Sequence, residues 1–217
     1  MPPELFACEV DGSHIFLDLR RDRYFRLPEP EETAFAALVQ HAPCPLAALD
    51  ALAALGVLTS NLPGKPIALT RHASPVESLV ERLDGQAESL ATWMRDLAEV
   101  TMLARAARRV VVKRELRSAL ARRAAARPST PQKGDRQRRD QMVARFLAVR
   151  PFAPVPARCL HDTLALSGFL ARRRLYPDIV IGVKLHPFAA HCWLQDGTTV
   201  LNDALASARD YQPVLVG

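Results

Sequence analysis

At 217 residues, with 49% hydrophobic side chains and a net charge of +6, the chain has room for one large or two small domains. It can bury a core, which excludes a disordered polymer. No apolar run reaches the roughly 18 residues of a membrane span, and Met1-Pro2-Pro3-Glu4 lacks the basic and apolar regions of a signal peptide, so a cytoplasmic protein is expected. Four cysteines without a pairing pattern fit free thiols in a reducing compartment. Neither CxxC nor HExxH spacing occurs, so a zinc site has no sequence support.

The charge is concentrated. Residues 1–104 hold 8 Lys/Arg and 15 Asp/Glu, residues 105–139 hold 13 and 2, and residues 140–217 hold 8 and 6. One basic segment therefore lies between an acidic front and a near-neutral back.

In chain order, the front predicts a small α+β unit. Leu5 to Val10 is a short strand closed by Asp11-Gly12, and Ile15–Arg20 with Arg23–Leu27 form a hairpin around Arg21-Asp22. Ile15, Leu17 and Leu19 alternate onto one face, Asp18 and Arg20 onto the other. Pro28 and Pro30 end the sheet. Helices follow over Glu31–Gln40, with acidic residues in the first turn, and Leu46–Leu55, closed by Gly56. Pro63, Gly64, Pro66 and Pro75 break residues 57–75. A long helical stretch runs from about Val76 to Ala126, breaking near Asp84-Gly85, and residues 127–135 form a polar loop. Asp140–Val149 is a helix, and Phe152–Pro156 leads extended into a helix from Cys159 to about Arg174. Strands follow at Ile179–Leu185, around His191, and at Thr199–Asn202 after an Asp196-Gly197 turn.

Three residues of this back region suggest chemistry. Cys159 opens a helix, His191 lies on a strand and Asp203 ends another, 32 and 12 residues apart in turn. A helix N-terminus and a neighbouring imidazolium both favour the thiolate, lowering a thiol from about 8.5 to roughly 3.5–7.5. His191 would be general base and then acid, with Asp203 holding its tautomer and orientation. Each has a plainer reading alone: a core thiol, a structural histidine, a turn or cap residue. Cys192 neighbours His191 and so points to the opposite face, as core. The hairpin register decides Asp203. A three-residue loop, Asp196-Gly197-Thr198, sets His191 opposite Asp203; a two-residue Asp196-Gly197 turn sets it opposite Asn202 and requires a bulge. The Cys159 N–H is one oxyanion donor, and no second donor is evident.

Cys–His–Asp is the chain order of papain-like and transglutaminase-like enzymes, although the upstream Gln usual in papain-like enzymes is absent. The words Cys159-Leu160, Leu164-Ala165-Leu166, Ile181-Gly182-Val183, Pro187-Phe188-Ala189-Ala190-His191-Cys192-Trp193 and Asn202-Asp203 closely resemble the lasso peptide B protein over about residues 86–217. Cys192 stands where that family commonly has Ala. Asp11-Gly12, Phe16–Leu19 and Arg23–Leu27 are similar to the PqqD-like element that binds leader peptides.

The resemblance implies an α+β chain with two domains. Residues 1–75 would form a winged helix-turn-helix, PqqD-like domain, and residues 76–217 a transglutaminase/papain-like cysteine protease domain. It implies that a leader adds as a strand along Arg23, Tyr24, Phe25, Arg26 and Leu27, against Leu49 and Leu52 of the second helix. One of Tyr24 and Phe25 would be core, since they face opposite sides. The implied reaction is leader removal from a ribosomal lasso precursor, freeing a core amine that an asparagine-synthetase-like cyclase joins to a side-chain carboxyl. The chain has no P-loop, so the resemblance assigns ATP to that cyclase and no cofactor to this chain. The basic run reads as a solvated helix face, with docking to the cyclase as its alternative. Two rival readings are a leader-binding adaptor with an inert protease half and a nucleic-acid binder. The acidic front, whose Leu46–Leu55 helix carries only Asp50, argues against the second.

Overall fold

A computed structural model describes residues 1–2, 4–59, 68–83, 89–128 and 136–217. The expected breakers Pro63, Gly64 and Pro66, the Asp84-Gly85 break and residues 129–135 of the polar loop lie outside the described residues. The described chain divides into two compact units, neither continuous in sequence. One holds Met1–His72, Gly182–Ala189 and Gln212–Val216; the other holds Ala73–Ile181, Ala190–Tyr211 and Gly217.

The front unit begins with β1 (Leu5–Val10), β2 (Ser13–Asp18) and β3 (Arg23–Phe25), a three-stranded antiparallel sheet in that order. Turn chemistry sets the register. Asp11-Gly12 closes the first hairpin at Val10↔Ser13. Asp18 closes the second, its Oδ1 accepting from the Arg20 and Arg21 N–H groups at 2.9 and 3.2 Å. Helices α1 (Glu29–Val39) and α2 (Leu46–Ala54) cover one face, where Leu5, Ala7, Phe16, Leu27, Phe35, Leu52 and Val57 make the core.

The polar face expected for the second strand is not observed. His14, Ile15, Phe16, Leu17 and Asp18 are all buried. β8 (Gln212–Val216) lies on β1 and β2, and Thr70 joins them, its N–H donating to Ala7 O at 2.8 Å and its hydroxyl to Val214 O at 2.7 Å. Alternation misreads this strand because its second cover comes from the far end of the chain.

In the second unit, β4 (Glu77–Ser78) is followed by one 3-10 turn, Val80–Arg82, then α3 (Leu90–Val112), α4 (Leu116–Ala126) and α5 (Arg136–Val149). The helical stretch expected from Val76 to Ala126, with its break near Asp84-Gly85, is thus a strand, a turn and two helices among the described residues. α3 ends in three β-branched residues, Val110–Val112, and Arg114 takes a φ of +56°, which redirects the chain and buries Leu116. α6 (Cys159–Ala171), β5 (Asp178–Lys184), β6 (Ala189–Asp196), β7 (Thr199–Val200) and α7 (Leu205–Arg209) complete the order. Neither α7 nor β8 is evident in the sequence.

α6 packs along α3 so closely that a Cβ on Gly168 would lie 3.1 Å from Leu103 Cδ2. α5 adds Met142, Val143, Phe146 and Val149, with Phe146 edge-on to Phe169 at 5.7 Å. Asp96, 2% exposed, receives a two-pronged hydrogen bond from Arg145 at 2.8 and 2.9 Å. Breaking such a buried pair costs about 3–5 kcal/mol, so α3 and α5 are locked behind α6. The sheet of this unit runs β4-β7-β6-β5, with β4 parallel to β7 and β7 antiparallel to β6.

Candidate active site

Cys159 is placed by its lead-in. Arg150, 7% exposed, donates from Nε to Asp162 Oδ1 at 2.7 Å and from Nη2 to the Val155 and Pro156 carbonyls at 3.1 and 3.3 Å. One guanidinium thus pins the extended lead-in to the start of α6. Arg158 is the extended N-cap and supplies no side-chain cap. The first-turn N–H groups keep their capacity to donate, and the Leu160 N–H is directed at the Cys159 sulfur. Cys159 is exposed; Cys8 and Cys192 are buried.

His191 lies half-buried on β6. Its Nε2 hydrogen-bonds Asp203 Oδ2, and the ring also hydrogen-bonds Cys159, which leaves Nδ1 for the sulfur. Trp193 lies nearly parallel to the imidazole at 6.0 Å, and Tyr211 is tilted against it at 5.1 Å. Asp203 is further held through Oδ1 by the Ala204 N–H at 2.8 Å and through Oδ2 by the Ser207 hydroxyl at 3.1 Å. Its carbonyl accepts from Ser78 at 2.6 Å.

Neither expected hairpin register occurs. Gln195 pairs with Val200 and Asp196 with Thr199, so Gly197-Thr198 is the two-residue loop. Gly197 supplies its positive φ, +60°. Continued as a ladder, this register would set Asp203 opposite Cys192, one residue from His191. The ladder stops first. Leu201 N–H still donates to Leu194 O at 2.9 Å, but the Leu194 N–H goes to the side chain of Asn202 at 2.7 Å. β7 ends, and the freed chain carries Asp203 to the imidazole.

The electrostatics separate the cysteines. Hydrogen bonding and charge from His191 hold the Cys159 thiol below its ordinary value against the opposing effect of burial. Burial pushes the Cys8 thiol up to about 12 and raises Cys192 as well. His191 is raised to about 9, chiefly by Asp203 and then by Cys159. Burial works to raise the Asp203 carboxyl, but hydrogen bonds and charge from His191 leave it below its usual range. The shifts favour a thiolate beside an imidazolium, oriented by a carboxylate, an arrangement suited to attack on a carbonyl carbon.

The structure thus brings Cys159, His191 and Asp203 together. Sequence reasoning missed Arg150, Ser78, Thr163, Asn202, Ser207 and Tyr211. Thr163 carries a usable signal, four residues after Cys159 and so on its face of α6. Asn202 and Ser207 sit one residue before and four after Asp203. Ser78 and Tyr211 carry no local signal.

The remaining sequence-predicted residues lie in the front unit. Arg23, Tyr24 and Phe25 form β3, which ends the sheet order among the described residues. The Arg23 guanidinium lies 5.2 Å from the Phe25 ring centre. Phe25 stacks on Phe16 at 5.0 Å, towards the core, and Tyr24 meets Phe188 at 5.5 Å. Arg26 donates to Ser13 Oγ at 2.9 Å. Leu49 is half-buried on α2. Leu27 and Leu52, 8% and 0% exposed, are spent on the core, so their side chains have no surface to offer a docked strand. Among the described residues no group of three or more His, Cys, Asp or Glu is placed to hold a metal ion, and no helix is long and apolar enough to cross a membrane.

A family model described as the transglutaminase-like superfamily matches residues 100–216, more than half the chain and all three site residues. The chain belongs to the transglutaminase-like superfamily. It is also 41% identical over 46 residues to the microcin J25-processing protein McjB of Escherichia coli, a match covering 21% of this chain and 22% of McjB. The chain thus spans about a fifth of the length of the curated relative it matches. No solved structure matches the chain. The superfamily match and the Cys–His–Asp geometry fall on the same segment, so the mixed α+β fold has a transglutaminase-like domain in its C-terminal half.

Proposed function

We propose that the chain is a cysteine endopeptidase that removes the leader from a ribosomal lasso peptide precursor, leaving the core with a free N-terminal amine. The observation that carries the reading is the Cys159–His191–Asp203 constellation at an uncapped helix start. The short McjB likeness supports the substrate class. In the proposed cycle the Cys159 thiolate attacks the scissile carbonyl, and first-turn N–H groups of α6 face the developing oxyanion. His191 protonates the leaving amine, then takes a proton from water for hydrolysis of the thioester, while Asp203 keeps the imidazole oriented.

The front unit is proposed to hold the leader by strand addition at β3, through Arg23–Arg26 with Leu49 beside them; Leu27 and Leu52 support that surface from the core. No cofactor is proposed for this chain. ATP is assigned to a partner cyclase that uses the freed amine.

The test is incubation of the purified chain with a precursor peptide encoded in its own gene neighbourhood, read by intact mass. A single cut at the leader–core junction, absent in Cys159→Ala, supports the peptidase. Leader binding without any cut would return the adaptor reading.

A further inference from the structure

We infer that Thr163 and Asn202 are positioning residues that set the Cys159–His191 pair by tying its three supporting elements to one another. The inference rests on the thiol-peptidase reading above.

Three residues of the network lie one turn or one residue from a member of the triad. Thr163 is one turn after Cys159 on α6, Cys192 follows His191 on β6, and Asn202 precedes Asp203. Thr163 is fully buried. Its hydroxyl donates to Cys192 O at 2.9 Å and accepts from Asn202 Nδ2 at 3.1 Å, and Asn202 Oδ1 accepts from the Leu194 N–H at 2.7 Å.

The directions are forced. Cys192 O can only accept, so the single Thr163 proton points there. Thr163 then accepts, which turns the Asn202 amide nitrogen towards it. The Leu194 N–H can only donate, which turns the amide oxygen the other way. All four groups are satisfied in one arrangement, and exchanging the amide N and O would set donor against donor.

Two consequences follow for the reaction. The Thr163–Cys192 bond fixes the β6 backbone against α6 at the residue whose N–H is directed at the Cys159 sulfur. The Asn202–Leu194 bond is the one that ends the hairpin ladder, which brings Asp203 to His191. Neither Thr163 nor Asn202 need touch a substrate to govern the thiolate.

The test is the pH profile of Cys159 carbamidomethylation by iodoacetamide on the full chain, read by mass on the Cys159 peptide. Thr163→Val keeps the shape and loses the hydroxyl, Thr163→Ser restores it, and Asn202→Ala removes the link to Asp203. Val143→Ala, a buried core change on α5 outside the hydrogen-bond network, controls for lost stability. Thr163→Val and Asn202→Ala are expected to raise the alkylation midpoint by about one pH unit towards that of an ordinary thiol. Thr163→Ser and Val143→Ala are expected to leave it in place. The inference is overturned if Thr163→Val and Asn202→Ala keep the wild-type midpoint, or if Thr163→Ser shifts it as far as Thr163→Val. Should Thr163→Val fail to fold, Asn202→Ala decides alone, since Asn202 is only half-buried. A wild type with a depressed midpoint, raised in Asn202→Ala, that cuts no precursor would sink the peptidase reading and uphold the positioning one.

Discussion

The thiol site and the β3 edge are built by opposite devices. At the thiol site nearly every polar group has a named partner. Asp203 alone accepts from Ala204, Ser207 and Ser78 and holds His191. β3 is three residues long, ends its sheet order and presents side chains that are exposed or half-buried. The first arrangement fixes the positions of reacting groups, which chemistry needs to within a fraction of an ångström. The second ends its sheet order among the described residues, and a sheet edge is where strand addition of an extended peptide takes place. On the proposed reading, changes at the first should abolish turnover and spare binding, and changes at the second should do the reverse.

The largest effect is expected for Cys159→Ala. Precursor cleavage should fall about ten-thousand-fold or more, as when a nucleophile is removed, while precursor binding by fluorescence anisotropy stays within about twofold, an order-of-magnitude expectation for a group that acts only in the reaction. Asp203→Asn keeps the size and removes the charge that holds His191 protonated. A loss of about a hundred- to ten-thousand-fold in kcat is expected, with a higher alkylation midpoint for Cys159. Tyr24→Ala is expected to weaken precursor binding by about tenfold, or about 1.4 kcal/mol, with the alkylation profile unchanged. An equal change in both readouts would break the division between the regions.

Much of the local structure of both regions is legible in the sequence. Cys159, His191 and Asp203 stood out by residue type, order and flanking words. The β1–β2 turn, α1, α2 and α6 follow from local signals at Asp11-Gly12, the acidic first turn of α1, Gly56 and the Phe152–Pro156 lead-in. What escaped depended on distance or on side chains replacing backbone. Alternation gives β2 a polar second face because the strand lying on it, β8, is some two hundred residues on. The hairpin register failed because Gly197-Thr198, not Asp196-Gly197, is the loop. Asp203 nevertheless reaches His191, because Asn202 ends the ladder with its own amide. No period or propensity encodes that substitution. The helix break at Arg114 has neither Gly nor Pro to announce it.

The smallest effects are in the pH dependence. His191 is raised to about 9, above the roughly 6.5 of an imidazole in the unfolded chain. Its link to Asp203 should therefore add stability that is complete below about pH 6.5 and is lost as pH rises through about 9. The melting-temperature difference between wild type and His191→Ala should shrink across that interval. Activity should likewise decline through about pH 9 as the imidazolium is lost. On the acid side, the decline should lie below the range of an ordinary thiol because Cys159 is lowered. The two limbs belong to the pair and not to either residue alone.

The most direct test of the central claim is the intact-mass time course of a leader–core precursor with wild type and with Cys159→Ala, run beside a binding measurement on both proteins. Two fragments meeting at one bond are expected with wild type, uncut precursor with the variant, and equal binding by the two. Cleavage by Cys159→Ala, or wild-type protein that binds precursor and leaves it whole, would contradict the claim.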